Sequence, residues 1–281
     1  MSRAGPDLSA QLAGVAVPPR EDRVNILGVG VCPVSQAAAL ARIDRWIANS
    51  DRQYVCVSGI HGVMESQRDD GLRAIHNAAG MVVPDGMPLV WLSRLWGGSG
   101  VERVYGPDLL LACCDRSLTA GYRHYFYGGG PRVPDLLMAR LQARFPGLVV
   151  AGGYSPPFRP LTPEEDAEVI RRINAARPDI VWVGLSTPKQ ERWMAEHRDR
   201  VEAPVFIGVG AAFDFHAGLK RQAPRWMQRT GLEWLFRLLA EPRRLWRRYL
   251  RNNPLFVWNV LLQGLGLRHY ELDERIGRDS R

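Results

Sequence analysis

The stretch "PEEDAEVIRRINAARPDIVWVGLSTPKQERWM", residues 163–194, contains the pattern of a helix, then of a strand, then of a second helix. Its central part, "DIVWVGLS", is an apolar run of strand length, and polar helical patterns lie on both sides of it. A strand this apolar is typical of a parallel sheet whose two faces are both covered. The stretch therefore predicts the helix-strand-helix alternation of an α/β fold.

The same strand pattern recurs along the chain. Further β-rich runs are "RVNILGVGV" (23–31), "QYVCVSG" (53–59), "GMVVP" (80–84), "RHYFYGGG" (123–130), "GLVVAGG" (147–153) and "PVFIGVGAAF" (204–213). Helical patterns such as "SQAAALARIDRWIANS", residues 35–50, separate them. The alternation predicts a mainly parallel sheet with helices on both faces.

The positive charge of the chain is concentrated near its C-terminus. The 281 residues carry 37 Lys and Arg against 29 Asp and Glu, a formal net charge of +8. Residues 218–251 contain ten basic and two acidic residues, which accounts for all of that excess. A cationic segment of this kind favours an anionic partner, such as a phosphate, a lipid head group or a nucleic acid.

Composition divides the chain into three parts. Residues 1–22 are mostly small and polar and lack the layout of a signal peptide, so we expect a disordered tail. The α/β alternation covers residues 23–217, the expected catalytic domain, and a basic helical appendage follows at 218–281. The cysteines form no CxxC pair, which predicts buried thiols in a reducing compartment. No apolar run reaches the roughly 18 residues of a membrane span, so we expect a cytoplasmic protein.

Glycine-rich sequences follow three of the predicted strands. They are "GVGVCP" (28–33), "GGGP" (128–131, with Gly128 and Gly129) and "GVGAAF" (208–213). In α/β folds such loops lie where phosphorylated ligands bind. The alternative is that the glycines only permit close packing and tight turns. A nicotinamide-dependent oxidoreductase shares this fold class, but Pro33 and Phe213 stand where the third glycine of its fingerprint is required.

Polar side chains follow two other strands. Asp85 comes directly after the buried run "GMVVP" and just before a helix, a position that suits a general base or, alternatively, a helix cap. Ser186, Thr187, Lys189 and Gln190 follow "DIVWVG" at a turn and helix start. Such groups suit a phosphate or a sugar hydroxyl, and capping by Ser186 or Thr187 accounts for only part of the pattern.

Five motifs, in this order and spacing, resemble the WecG/TagA/CpsF family of bacterial glycosyltransferases. They are "VPDGMPLVW" (83–91), "ERVYGPDLL" (102–110), "VGLSTPKQERW" (183–193), "GVGAAFDFHAG" (208–218) and "RQAPRWMQRTGLEWLFRLLAEPRRLWRRYL" (221–250). The resemblance covers about residues 24–250. It implies a modified Rossmann-like α/β domain with a helical appendage. It also implies inverting, metal-independent and cofactor-free transfer from a UDP-sugar to a polyprenyl-diphosphate-linked saccharide during assembly of surface polysaccharide.

The resemblance also implies roles for individual residues. Asp85 matches the proposed catalytic base, Arg103 a partner of an anionic substrate group, and Gln190 a substrate-positioning residue. Lys189, singled out above from its position after a predicted strand, is assigned to substrate binding as well. The arginines expected on the UDP diphosphate are Arg237, Arg244 and Arg247. From the glycine-rich loop after the predicted strand, and not from the resemblance, we add Gly128 and Gly129 as UDP contacts. Guanidinium groups suit a diphosphate because they stay charged and bind phosphate oxygens with paired hydrogen bonds.

The chain departs from the family pattern near its first sheet strands. Where the family commonly has Thr-x-Asn, this sequence has "VSGIHG", so Ser58 replaces the threonine and Ile60 stands where an amide is usual. We assign Ser58 and His61 to substrate binding, with a purely structural His61 as the alternative. The sugar remains open among N-acetylmannosamine, its uronic acid and glucose. Asp214 and His216 are only two candidate ligands, which is a weak metal signal.

The basic appendage also has the composition of an interfacial helix. Trp226, Trp234, Trp246 and Trp258 accompany the arginines, which suits aromatic groups at head-group depth and cations on anionic lipid. We therefore expect a peripheral protein on the inner face of the plasma membrane, whose appendage also closes over UDP. A nucleic-acid-binding protein is the other candidate for such a segment, but helix-turn-helix, zinc and RNP signatures are missing, and we expect no nucleic-acid partner.

Overall fold

The computed structural model describes residues 23–97 and 99–272. The disordered tail predicted for residues 1–22 lies outside the described residues, as does the end of the predicted appendage from residue 273. The chain forms two compact units built from separated segments. The sheet unit consists of residues 34–57 and 103–222, and the helical unit consists of the described residues up to 33, 58–102 and those from 223 onward.

The elements are numbered in chain order over the described residues. The strands are β1 Val24–Ile26, β2 Val29–Val31, β3 Gln53–Ser58, β4 Met81–Pro84, β5 Arg123–Gly128, β6 Val149–Tyr154, β7 Ile180–Gly184 and β8 Val205–Gly208. The helices are α1 Gln36–Asn49, α2 Ile60–Ser66, α3 Asp70–Ala78, α4 Met87–Leu95, α5 Gly106–Ala120, α6 Val133–Arg144, α7 Pro163–Ala176, α8 Lys189–His197, α9 Ala212–His216, α10 Arg225–Arg229, α11 Glu233–Ala240 and α12 Pro242–Gly264.

The sheet unit is built on parallel strands in the order β3-β8-β7-β5-β6. Central strand β7 pairs with β5 from His124–Ile180 to Gly128–Gly184, and with β8 from Ile180–Val205 onward. Four of the five β7 residues are buried, and helices α1, α6, α7 and α8 pack on the strands. These parallel strands and the helices packed on them confirm the predicted α/β fold. The physical reason is that β7 is apolar along its whole length and needs cover on both faces.

The start of helix α7 shows how local sequence sets an element boundary. Thr162 Oγ1 accepts a hydrogen bond from the backbone N–H of Glu165 at 3.3 Å, and the Glu165 carboxylate accepts from the N–H of Thr162 at 2.9 Å. This reciprocal capping box satisfies backbone donors that have no partner inside the helix. Pro163 occupies the first helical position, where its missing N–H costs nothing. The helix that leads into β7 therefore begins at a residue that the sequence specifies.

The first predicted strand is a hairpin. Residues 23–31 form β1 and β2, which pair antiparallel as Val24–Val31 and Ile26–Val29. The chain reverses at Leu27 and Gly28, whose φ angles are 51° and 78°, and Asn25 Oδ1 accepts from the N–H of Gly28 at 2.8 Å. The prediction of one continuous strand was wrong because it missed this local turn. The "GVGVCP" loop is therefore part of a hairpin.

A buried histidine lies within the parallel sheet. His124 on β5 accepts a hydrogen bond at Nδ1 from Trp182 Nε1 (2.9 Å), so its proton lies on Nε2, which is 2.8 Å from Ser117 Oγ. Ser117 in turn donates to the carbonyl oxygen of Cys113. Burial lowers the pKa of His124 to about 4, because the imidazolium form cannot be hydrated there. The ring therefore remains neutral at physiological pH.

His124 makes the stability of the fold depend on pH. The unfolded chain takes up a proton near pH 6.5 that the folded chain takes up only near pH 4. The free energy of unfolding should therefore be unaffected by His124 above pH 6.5 and fall by about 3 kcal/mol between pH 6.5 and 4. His124→Gln, which keeps an acceptor for Trp182, should lack this contribution. Urea denaturation of both proteins across this pH range measures the free energy of unfolding. An equal change of that free energy with pH in the two proteins would contradict the expectation.

The helical unit joins the two ends of the described chain. The Gln263 side chain on α12 accepts from the N–H of Leu27 at 3.0 Å and donates to the carbonyl oxygen of Asn25 at 2.9 Å. Leu245, Asn252, Phe256 and Asn259 form the buried side of α12. Apolar burial and hydrogen bonds thus hold this helix, although its opposite side carries exposed apolar groups. Within the part of the chain that the structure describes, no helix has the length and hydropathy needed to cross a bilayer.

The boundaries of the compact units differ from the boundary that the sequence predicts between the catalytic domain and the appendage. Residues 218–222 of the expected appendage belong to the sheet unit, while residues from 223 onward belong to the helical unit with residues 58–102. The helical unit therefore contains both the loop with Asp85 and the arginine-rich helices. The division into a catalytic domain at 23–217 and an appendage from 218 stays a prediction about function.

Candidate active site

Asp85 lies directly at the end of β4, whose residues are all buried. Its backbone N–H donates to the carbonyl oxygen of Ser58 at 2.9 Å, which ties the loop to Ser58 within the same compact unit. The N-cap of the following helix α4 is Gly86, so the alternative that Asp85 is the capping residue is wrong. A Cβ on Gly59 would lie 4.0 Å from Asp85 Oδ2, which places this glycine beside the carboxylate. Asp85 is thus a half-buried carboxylate on a rigid support.

Ser58 faces the interior of the helical unit. Its side chain is only 3% exposed, and its Oγ lies 3.4 Å from Nε2 of the fully buried His76. His76 Nδ1 lies 3.0 Å from the carbonyl oxygen of Leu72, which can only accept, so Nδ1 carries the proton and Nε2 accepts from Ser58. A Cβ on Gly62 would overlap Ser58 Oγ. The Ser58 hydroxyl is therefore tied to His76, while the backbone carbonyl of Ser58 accepts from Asp85, and the assignment of Ser58 to substrate binding stays a prediction.

His61 belongs to a polar cluster between α2 and α12. Asn252 Nδ2 lies 3.3 Å from His61 Nδ1, and Arg68 donates to Asn252 Oδ1 at 2.7 Å. Arg68 also pairs with Glu65 at 2.8 Å, and Glu65 lies 3.6 Å from His61. Because the Asn252 nitrogen is a donor, His61 Nδ1 accepts and its proton lies on Nε2. The cluster links the helix after the Asp85-supporting loop to the long helix of the appendage.

Arginines gather on α11 and α12 of the helical unit. Arg244 pairs with Glu241 at 2.8 Å, and the Arg247 guanidinium lies 5.3 Å from the centre of the Trp246 ring. Burial, together with the positive charges of Arg237 and Arg244, lowers the pKa of Arg248 to about 10. The buried Nε of Arg248 has no hydrogen-bond partner among the described residues. Arg237, Arg244 and Arg248 therefore lie close enough for their charges to interact, and the contact of Arg237, Arg244 and Arg247 with UDP stays a prediction.

The sheet unit holds the other predicted site residues. Arg103 is half-buried, with its guanidinium 4.0 Å above the ring of Tyr105. Lys189 is exposed at the start of α8, and Gln190 beside it is buried. The N-cap of α8 is Pro188 and makes no side-chain capping bond, so the capping explanation for Ser186 and Thr187 is wrong. The described contacts do not assign Arg103, Lys189 or Gln190 to a ligand, and their roles stay predictions.

Gly128 and Gly129 lie at the end of β5, where the backbone passes close to β7. A Cβ on Gly128 would lie 2.7 Å from the carbonyl carbon of Gly184, and one on Gly129 would lie 2.9 Å from the Val133 side chain. The φ angles are 116° and 78°, and the N–H of Gly129 donates to the carbonyl oxygen of Gly184 at 2.9 Å. Packing alone requires glycine at both positions. Contact with UDP is an additional role that stays a prediction.

The remaining sequence candidates have partners of their own. Asp214 pairs with Lys220 at 3.1 Å, and His216 Nε2 donates to the carbonyl oxygen of Pro107 at 2.9 Å. Over residues 23–97 and 99–272, no group of three or more His, Cys, Asp or Glu side chains is arranged to hold a metal ion. The four cysteines are free and buried, as predicted.

Exposed apolar side chains are frequent on the last helices of the helical unit. They include Trp226, Trp234, Leu239, Trp246, Leu250, Leu255, Val257, Trp258 and Leu261, all at least 37% exposed. Surface apolar groups in this number go beyond the scattered exposure of an ordinary soluble surface. The tryptophans that gave the appendage the composition of an interfacial helix are therefore exposed.

Three buried polar residues were missed by reasoning from the sequence. His76 holds Ser58, Asn252 bonds His61 and Arg68, and Glu191 bonds Thr187 and Gln190. Only Glu191 has a sequence signal, since it directly follows Gln190 in the quoted "STPKQE" motif. His76 is 18 positions from Ser58 and Asn252 is 191 positions from His61, so folding alone brings these pairs together.

Similarity to known proteins identifies the family of the chain. The family model described as "Glycosyl transferase WecG/TagA/CpsF family" matches residues 24–270. An "N-acetylglucosaminyldiphosphoundecaprenol N-acetyl-beta-D-mannosaminyltransferase" of Bacillus spizizenii is 34% identical over 197 residues, which cover 70% of this chain and 74% of the relative. A Staphylococcus aureus protein of the same name (strain NCTC 8325) is 25% identical over 240 residues, covering 85% and 92%. The chain therefore belongs to the WecG/TagA/CpsF family and is a glycosyltransferase.

Proposed function

We propose that this protein moves a sugar of the N-acetylmannosamine type, its uronic acid or glucose from a UDP-sugar to a polyprenyl-diphosphate-linked saccharide. The transfer inverts the anomeric carbon, needs no metal and serves the synthesis of cell-surface polysaccharide. The names of the two relatives support N-acetylmannosamine as the first donor sugar to test and N-acetylglucosaminyl diphosphoundecaprenol as the acceptor. Family membership supports the reaction class.

The position of Asp85 is the observation that carries this proposal. Inversion requires the acceptor oxygen to attack the anomeric carbon from the side opposite to UDP, while a base removes the hydroxyl proton. The proton passes to the Asp85 carboxylate, the new C–O bond forms, and UDP leaves with the electron pair of the broken bond. One carboxylate suffices for this step. Buried β4 and the Asp85–Ser58 backbone bond supply the rigid support that a base needs.

The arginines of α11 and α12 suit the departing UDP. Negative charge grows on the diphosphate as the glycosidic bond breaks, and fixed cations lower the energy of that transition state. Arg237, Arg244 and Arg247 are the proposed contacts, and the half-buried Arg248 adds a fourth cation beside Arg237 and Arg244. The repulsion inside this group supports an anionic ligand, which would offset it.

The exposed apolar side of the appendage supports docking on anionic lipid at the inner face of the membrane. A lipid-linked acceptor stays in the bilayer, so an enzyme that uses it gains from binding the surface. Trp246 and Trp258 are 46% and 59% exposed, and the arginines beside them supply positive charge. Removing the whole appendage is a poor test, because α12 holds the N-terminal hairpin through Gln263. Point substitutions preserve that packing.

One experiment tests reaction and docking together. The full chain is incubated with UDP-N-acetylmannosamine, its uronic acid or UDP-glucose, and with N-acetylglucosaminyl diphosphoundecaprenol in neutral or anionic phospholipid vesicles. We expect label from one UDP-sugar in the acceptor, at a rate severalfold higher in anionic vesicles. The double variant Trp246→Ser and Trp258→Ser should lose that preference. Phe158→Ser is the matched control, because Phe158 is 84% exposed in the sheet unit.

The alternatives make different predictions in the same assay. Transfer from no UDP-sugar, together with stabilisation of the protein by NAD, would favour the oxidoreductase. Binding of arbitrary DNA that persists in saturating UDP would favour a nucleic-acid-binding protein. Equal rates in neutral and anionic vesicles would contradict the docking proposal and leave the transferase proposal intact.

A further inference from the structure

Two adjacent polar residues are buried at the start of α8. Gln190 is 3% exposed and Glu191 is 1% exposed. They follow the turn from Ser186 to Pro188, at the carboxyl end of β7 in the sheet unit. Within residues 23–97 and 99–272, no salt bridge involves Glu191. A carboxylate this deeply buried needs hydrogen-bond donors.

One oxygen of Glu191 has two donors. Its Oε1 accepts from the Thr187 hydroxyl at 2.9 Å and from Gln190 Nε2 at 3.0 Å. The second bond fixes the orientation of the Gln190 amide, because a reversed amide would place its oxygen against the carboxylate oxygen. Gln190 therefore directs Nε2 to Glu191 and keeps Oε1 as an acceptor.

The Gln190 side chain lies against the glycines that end β8. A Cβ on Gly208 would be 3.1 Å from Gln190 Nε2, and one on Gly210 would be 3.4 Å from Gln190 Oε1 and 4.0 Å from Ser186 Oγ. Glycine at these positions leaves room around the amide. The carboxyl ends of parallel strands are also where α/β folds bind their ligands.

Two acceptor atoms in this group lack donors. Gln190 Oε1 and Glu191 Oε2 are both buried and have no hydrogen-bond partner in the described part of the chain. Buried polar atoms without partners are uncommon in folded proteins because each unmade bond is costly. Two such acceptors on neighbouring residues indicate that a group rich in donors completes the site.

The helix dipole is a simpler explanation for an acidic residue at this position, but it does not account for the contacts of Glu191. An acidic residue in the first turn of a helix is stabilised by the helix dipole, and Glu191 occupies that turn of α8. Its Oε1, however, accepts from the side chains of Thr187 and Gln190. Helix stabilisation explains why an acid is tolerated there, and leaves the fixed amide and the two orphan acceptors unexplained.

We propose that Glu191 is a positioning residue that holds Gln190 as a dedicated acceptor for a hydroxyl or acetamido N–H of the transferred sugar. The proposal rests on the proposed transferase function for its substrate and adds to it the chemistry of sugar recognition. UDP alone lacks the sugar, so Glu191 should affect binding of the UDP-sugar and leave binding of UDP unchanged.

Calorimetric titration of the full chain with UDP and with the accepted UDP-sugar separates these effects. Glu191→Met removes the acceptor with little change in size and should weaken UDP-sugar binding about tenfold relative to UDP. Glu191→Gln keeps a carbonyl oxygen for Thr187 and Gln190 and should restore most of the preference. Glu196→Met removes the same charge from an exposed position on α8 and should bind both ligands like the parent protein.

A second variant keeps the test decisive if Glu191→Met folds poorly. Gln190→Met removes the proposed acceptor itself and should cause the same selective loss. The proposal is overturned if folded Gln190→Met or Glu191→Met loses affinity for UDP and UDP-sugar alike, or keeps both. Absence of UDP binding by the parent protein would instead refute the transferase proposal on which this one depends.

Discussion

Asp85→Asn is expected to lower the rate of sugar transfer by about a thousandfold or more and to leave the affinity for UDP almost unchanged. The amide keeps the size of the side chain but cannot take the acceptor proton, and general base catalysis typically contributes factors of about 10² to 10⁴. The backbone bond from residue 85 to the Ser58 carbonyl does not involve the side chain, so the loop should keep its position. Single-turnover transfer and UDP titration measure the two quantities separately.

The control for this variant is Asp70→Asn, which removes the same charge from an exposed position on α3 of the same unit. Asp70 is 84% exposed and pairs at the surface with Arg73 at 3.0 Å, so the loss of this ion pair should change the free energy of unfolding little. Transfer by Asp85→Asn at more than a tenth of the parent rate would exclude Asp85 as the base. A parallel loss of UDP affinity would mean that Asp85 acts in binding.

The second large effect is expected at the arginine cluster. Replacing Arg237 and Arg244 together by Met should weaken UDP binding by about a hundredfold or more, because each guanidinium makes charge-assisted hydrogen bonds to phosphate oxygens. Both cations also help to lower the pKa of Arg248, so their removal relieves repulsion in the unliganded protein. Without UDP, the variant should therefore melt close to the parent temperature, since the Arg244–Glu241 pair that it also loses lies at the surface.

Thermal melts with and without UDP measure both parts of this expectation. The parent protein should gain stability with UDP concentration by mass action, and the double variant should lose most of that gain. Arg243→Met is the control, since Arg243 is an exposed arginine on the same helix α12. Equal stabilisation of the parent and the double variant by UDP would show that the diphosphate binds elsewhere.

The fold was predictable because its signals are local. The apolar run that becomes β7, the proline-led start of α7 and the glycines at the ends of β5 and β8 all act over a few residues. Asp85 was identified in the same way, from its position directly after a buried strand. The exception is the hairpin at residues 23–31, where a turn at Leu27 and Gly28 interrupts an apparently continuous strand.

The supporting contacts of the candidate site were not predictable because they join distant positions. Ser58 bonds His76, His61 bonds Asn252, and Gln263 bonds Asn25 across 238 positions of chain. Nothing in the local pattern of either partner indicates the other. Even for the neighbours Gln190 and Glu191, only the folded structure shows which of their oxygens are buried without a hydrogen-bond donor.

The sequence by itself determined the α/β class, the candidate base, the cationic appendage and the family, because each depends on local pattern or on motifs in a set order. The tertiary structure alone decided which polar atoms are buried, how the Gln190 amide is oriented, and that burial lowers the pKa of Arg248 beside Arg237 and Arg244. The physical reason is that desolvation and hydrogen-bond satisfaction depend on all the groups around an atom, and most of those groups come from elsewhere in the chain.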